Sequence, residues 1–190
     1  TESFKDIREA NDIYRHFVDK AQILFYKRED PFFMADIDSI KLKDANVFVL
    51  EKEYNMRFIE AIGQENSKNV KRLINTVSSY FSDNNIKPKV VKIFFSKLLG
   101  EIFSSFGEVI DNNDDLKNYE SYHYQIESSE YLQDIMQLIE SFSERVINEL
   151  QDMRQYSSKA LINRALNYIN YHYDEKISLE DVAKELHISK

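Results

Sequence analysis

Cysteine and tryptophan are absent from the 190 residues, glycine occurs three times and proline twice. Without cysteine there is no disulfide framework and no thiolate metal site, and a reducing cytoplasm suits the chain. Three glycines cannot furnish a phosphate-cradling loop. The sequence holds no P-loop, no G-x-G-x-x-G and no G-x-S-x-G nucleophile elbow. The four histidines, His16, His123, His172 and His187, are scattered, none in an H-E-x-x-H arrangement. The expectation is a protein that is not an enzyme and uses no metal or cofactor. No apolar run approaches bilayer length, and Thr1-Glu2-Ser3-Phe4-Lys5-Asp6 has no signal-peptide pattern, so no membrane partner is expected.

Hydrophobic residues make up 43% of the chain and aromatics 13%. With so few breakers and little strand-type alternation, that content predicts long helices. The expected fold is mainly all-α: a helical bundle with at most one short strand near the N-terminus. Phe4, Ile7, Ala10, Tyr14 and Phe17 repeat at helical spacing, predicting a helix that ends near Ala21. Ile23-Leu24-Phe25-Tyr26 reads as the strand, closed by Lys27-Arg28-Glu29-Asp30 and Pro31. Residues 32–46, with Asp36, Asp38, Lys41, Lys43 and Asp44 among scattered apolars, read as a connector.

Three amphipathic segments follow. The first runs from Val47 with Leu50, Tyr54, Phe58, Ile59 and Ile62 on one face and Gly63 as C-cap glycine. Asn66 or Ser67 opens the second, which carries Val70, Leu73, Ile74, Val77 and Phe81 and ends at Asp83-Asn84-Asn85. The third starts at Pro88, well placed in a first turn, and Gly107 is expected to stop it. Its Val91, Phe94, Phe95, Leu98, Leu99, Ile102 and Phe106 cover more than one face, as in the middle helix of a bundle.

Asp111-Asn112-Asn113-Asp114-Asp115 has oxygens at alternate positions, like the start of an EF-hand loop. Leu116 stands where that loop needs glycine and Tyr122 where it needs a bidentate Glu, so the run reads as a solvated connection. Tyr119, Tyr122, His123, Tyr124 and Tyr131 form an aromatic patch that could be a binding surface or a lid on the core. Ser128 or Ser129 can cap the longest helix, expected to run to about Tyr156 with Glu130 in its first turn. Leu132, Ile135, Ile139, Phe142, Val146 and Met153 alternate at three and four residues, the spacing of a coiled-coil seam. They are the dimer-seam candidates, with packing inside one bundle as the other reading.

At the C-terminal end Ser178 can N-cap a helix, with Asp181 where a capping box places its acid. Leu179, Val182, Ala183 and Leu186 share one face, His187-Ile188 turns the chain, and Ser189 is a second N-cap candidate. A capped short helix, a tight turn and a new cap is how a helix-turn-helix begins.

The stretch from Leu161 through Tyr168-Ile169-Asn170-Tyr171-His172-Tyr173 to Ile177-Ser178-Leu179-Glu180 resembles the opening of the DNA-binding domain of AraC/XylS-family transcription regulators. The helix at Ile7–Phe17 followed by Ile23–Tyr26 resembles the segment between receiver and DNA-binding domains in AraC-type response regulators of the YesN kind. The resemblance implies a receiver domain upstream, a recognition helix after Ser189-Lys190 and a homodimer. It makes Ser178, Leu179, Val182, Ala183, Leu186, Ile188 and Ser189 the helix-turn-helix scaffold. Residues 1–30 would then be the tail of an upstream domain or connector, 31–155 a helical linker and dimerisation region, and 156–190 the start of the DNA-binding domain.

Charge adds a condition. Net charge is -8, yet residues 156–190 hold five basic and five acidic side chains, so the excess lies upstream. Duplex DNA is bound chiefly through cations that neutralise phosphates. DNA is therefore a partner expected of a longer protein and not of this stretch alone. Two other readings stay open. One is a one-component regulator whose helical region senses a small molecule among Phe94, Phe95, Phe103 and the tyrosine patch; the other is a helical protein-interaction adaptor.

Overall fold

In the computed structural model, residues 11, 14–15, 17–18, 21–26, 41–111, 113–114, 116–173 and 176–188 are described. They are mainly helical, and among them there is no strand, only an isolated parallel bridge between Lys43 and Ile86. The helices are α1 (Val47–Gly63), α2 (Ser67–Asp83), α3 (Pro88–Ser105), α4 (Gly107–Asp111), α5 (Tyr119–Ser128), α6 (Leu132–Tyr171) and α7 (Leu179–Glu185). The chain divides into two compact units, residues 1–147 and 148–190.

In the first unit, α3 is the middle helix. It packs against α1, α4 and α5, and Val91, Phe94, Phe95, Leu98, Leu99 and Ile102 are each fully buried. Phe81 of α2 meets Phe94 edge-on at 5.4 Å. Phe103 of α3 stacks on Phe142 of α6 at 5.2 Å, and Tyr122 of α5 closes on Phe142 at 4.7 Å. Edge-to-face and offset pairs of this kind add to the stabilisation that area burial alone gives. They explain how an aromatic-rich, glycine-poor sequence fills a core between helices.

The strand expected at Ile23–Tyr26 is not formed. Ala21, Gln22 and Ile23 are helical, and Leu24–Tyr26 is a 3₁₀ turn. A lone strand has no ladder partner for its backbone groups, whereas a helical turn satisfies them locally. Ile23 and Phe25 are buried, and the Tyr26 hydroxyl donates to the Ile86 carbonyl. Tyr14 and Phe17 lie in helical backbone with their rings exposed, while Phe4, Ile7 and Ala10 fall outside the described residues.

Helix ends differ from expectation where glycine was given the stopping role. Gly63 is the last residue of α1, and the left-handed residue that reverses the chain is Glu65, φ 57°. Asn85, φ 51°, does the same after α2. At Gly107 a new short helix begins; α3 has already ended at Ser105. None of the glycines has positive φ. Asn66 caps α2 by accepting from the Asn69 amide at 3.0 Å, and Pro88 occupies the first turn of α3.

Ser128 and Ser129 do not cap the longest helix. Ser128 ends α5 with Ser129 as its C-cap, and α6 begins at Leu132, beyond Glu130. Nor does α6 stop near Tyr156; it is one helix of 40 residues.

Candidate functional site

The second unit contains the C-terminal part of α6, a turn, α7 and a second turn. Ser178 and Asp181 form a complete capping box. The Ser178 amide donates to Asp181 Oδ2 at 2.9 Å, and the Asp181 amide donates to Ser178 Oγ at 3.3 Å. The Ser178 hydroxyl also donates to Asp181 Oδ2 at 2.6 Å. These bonds hold the Asp181 carboxyl below its usual range, first through the Ser178 hydroxyl and then through its backbone amide. Glu180 and Asp181 also place negative charge at the positive end of α7.

The other end of α7 closes in a Schellman motif. His187 takes φ 54°, its amide donates to the Lys184 carbonyl at 3.2 Å, and the Ile188 amide donates to the Ala183 carbonyl at 3.1 Å. Both bonds satisfy carbonyls that a helix end leaves orphaned. A histidine here does the backbone work usually left to glycine. The chain thus leaves α7 through a compact reversal.

Burial divides the scaffold candidates. Leu186 is buried, Val182 and Ala183 are half-buried, and Leu179 and Ile188 are exposed, at 72% and 48%. Ser189 lies outside the described residues. Leu161, Ala165 and Tyr168 on α6, and His172 just after it, are half-buried. Arg164 joins the two helices by donating to the Glu185 carbonyl at 3.4 Å. The adjoining face of α6 leaves Ile162, Leu166 and Ile169 exposed at helical spacing. That second apolar face is an addition to the sequence reading, which had taken only the α7 stripe.

The dimer-seam candidates also divide. Leu132, Ile135, Ile139, Phe142 and Val146 are buried in the core of the first unit of a single chain, and Met153 is 43% exposed. Side chains without accessible surface have nothing to offer a second copy. Residues 151–160, by contrast, are exposed on every side of the helix, among them Met153 and Tyr156.

The aromatic patch after α4 does not act as one surface. Tyr122 is buried and receives a hydrogen bond from Arg145 at 2.8 Å, whereas Tyr124 is 71% exposed. In the acidic run before it, Asp114 pairs with Lys117, which lowers its pKa. Asn112 and Asp115 lie outside the described residues. Phe94 and Phe95 are wholly enclosed by core. No helix among the described residues is long and apolar enough to cross a membrane. Comparison of the chain with protein-family models, with curated proteins and with solved structures gives no match.

Proposed function

We propose that this chain is the coupling region and the leading part of the helix-turn-helix unit of a transcription regulator. In this reading it is similar to AraC/XylS-family proteins of the response-regulator kind and works in the cytoplasm as a homodimer. The observation behind the reading is the α7 segment. A capping box at Ser178-Asp181 and a Schellman reversal at His187 fix both ends of a short helix. Support comes from the exposed apolar side chains Ile162, Leu166, Ile169 and Leu179, which a neighbouring part of a DNA-binding domain would cover.

The mechanism follows from α6. A phosphorylated receiver upstream would change how two copies associate, and the uninterrupted helix from Leu132 to Tyr171 would carry that change to the DNA-reading end. Because five of the six original seam candidates are internal, the pairing surface is assigned to the exposed stretch around Met153 and Tyr156.

The decisive experiment is DNA binding by a chain extended through a complete DNA-binding domain, on the order of 100 residues. Sequence-selective binding is expected, with log K falling linearly against log salt. The present residues alone should bind duplex DNA weakly at any salt, given the balanced charge of 156–190. An extended protein that fails to distinguish specific from random duplex removes the assignment.

A further inference from the structure

Asp152 and Lys159 stand on α6 inside the stretch that is exposed on every side. They are separated by two helical turns, about 10.5 Å of rise. The two therefore share one edge of the helix and are too far apart to pair with each other. Among the described residues neither has an ion-pair partner. Beside that edge run Met153, Tyr156 and Ala160 at three- and four-residue steps, the spacing of a helix–helix seam. All three are exposed.

The order of these residues is self-complementary. A two-fold axis across α6 near Gln155 reverses the helix direction and leaves each edge on its own side. A residue before the axis then meets the residue equally far beyond it in the second copy. Met153 meets Tyr156, Tyr156 meets Met153, and Asp152 meets Lys159 on both sides of the axis. Each of the two charges finds its opposite, and each of the two apolar side chains finds an apolar neighbour. Parallel pairing offers no such match. It sets every seam residue against itself, and its flanking contacts place Asp152 opposite Ser157 and Lys159 opposite Arg164 of the second copy. Two cations would then face each other on each side of the pair, a destabilising arrangement.

We infer that two copies of this chain pair antiparallel through the exposed turns of α6, with Met153 packed on Tyr156 and Asp152 joined to Lys159 across a two-fold axis near Gln155. The inference rests on the α6 pairing proposed above and adds its direction and its partners. Three turns of helix cover less than the roughly 1,200 Å² of a standard interface. The pair is accordingly weak and dissociates on dilution, and low salt favours it because its ion pairs are exposed.

The test is sedimentation of the 190-residue chain over a concentration series at low salt, with charge variants. Asp152→Lys and Lys159→Asp should each weaken the dimer about tenfold. Net charge moves in opposite directions in these two variants, so loss in both marks a specific pair. Asp152→Lys combined with Lys159→Asp on one chain should restore the dimer, which a folding defect cannot do. Because the chain has no cysteine, introduced thiols report orientation. A mixture of Met153→Cys and Tyr156→Cys copies should oxidise to the mixed disulfide. Ala160→Cys alone should stay monomeric on oxidation, since in the antiparallel pair its two copies lie about 16 Å apart along the helix. A covalent Ala160→Cys dimer means parallel pairing and overturns the inference while the α6 surface stands. Charge reversals without effect, in a dimer that Met153→Glu with Tyr156→Glu abolishes, do the same. A chain that is monomeric at every concentration removes the inference and the α6 pairing together.

Discussion

Tyr26 shows how one side chain settles local structure. Burial raises its hydroxyl pKa, so the phenol remains a proton donor to the Ile86 carbonyl throughout neutral pH. The neutral form is the stabilising one: its contribution is complete below the ordinary tyrosine range and is lost as pH rises toward the raised folded value. Tyr26→Phe should cost about 1 kcal/mol and lower Tm by roughly 2–4 °C in a scan at neutral pH. Asp181 has the opposite sign. Its lowered pKa means that the capping box is fully present above the ordinary carboxylate range and is lost as pH falls through the lower folded value. Amide signals of residues 178–186 should therefore lose protection in acid, and Asp181→Asn should flatten that dependence. His187 holds a left-handed backbone that L-residues with a Cβ enter at a cost of roughly 1–2 kcal/mol. His187→Gly should slow amide exchange across α7. Faster exchange there would mean that the histidine side chain, not the backbone angle, holds the turn.

Among the elements, α6 is the least uniform. Its first half buries Ile135, Ile139, Phe142 and Val146, while residues 151–160 touch solvent all round. Helices in water owe most of their stability to packing of a face rather than to propensity. Amides of 151–160 in the monomeric chain should accordingly exchange much faster than those of 135–147, and mass-spectrometric exchange can resolve the two segments. Equal protection would require a partner on the exposed turns. The seam expected from the Leu132–Met153 spacing illustrates the ambiguity: three-four alternation marks a face to be buried and says nothing about which neighbour buries it. Here the neighbours of Phe142 are Phe103 and Tyr122 of the same chain.

For the molecule as a whole, the proposed dimer makes a prediction that the buried seam does not. Met153→Glu together with Tyr156→Glu should convert a concentration-dependent dimer into a monomer by light scattering, leaving the melting of the first unit unchanged. Both side chains are exposed, so the substitutions remove no core contact. A chain that is monomeric at all concentrations before substitution removes these turns as the pairing surface.

The sequence alone was enough to specify helices α1 to α3, their buried faces, the Ser178-Asp181 box and the middle position of α3. All of these are local: they rest on periodicity, capping chemistry and apolar content within one segment. It did not specify the turn at Leu24–Tyr26, because four apolar residues followed by charge suit a strand or a helix end equally. It assigned helix stops to Gly63 and Gly107, where tertiary packing placed the reversal at Glu65 and ended α3 before Gly107. The free turns of α6 were beyond reach for the same reason. Leu132 and Met153 belong to one three-four alternation, and only tertiary packing buries the first and leaves the second exposed. Short-range hydrogen bonds and side-chain spacing are written in neighbouring residues; which face meets which partner is decided by contacts between residues far apart in the chain.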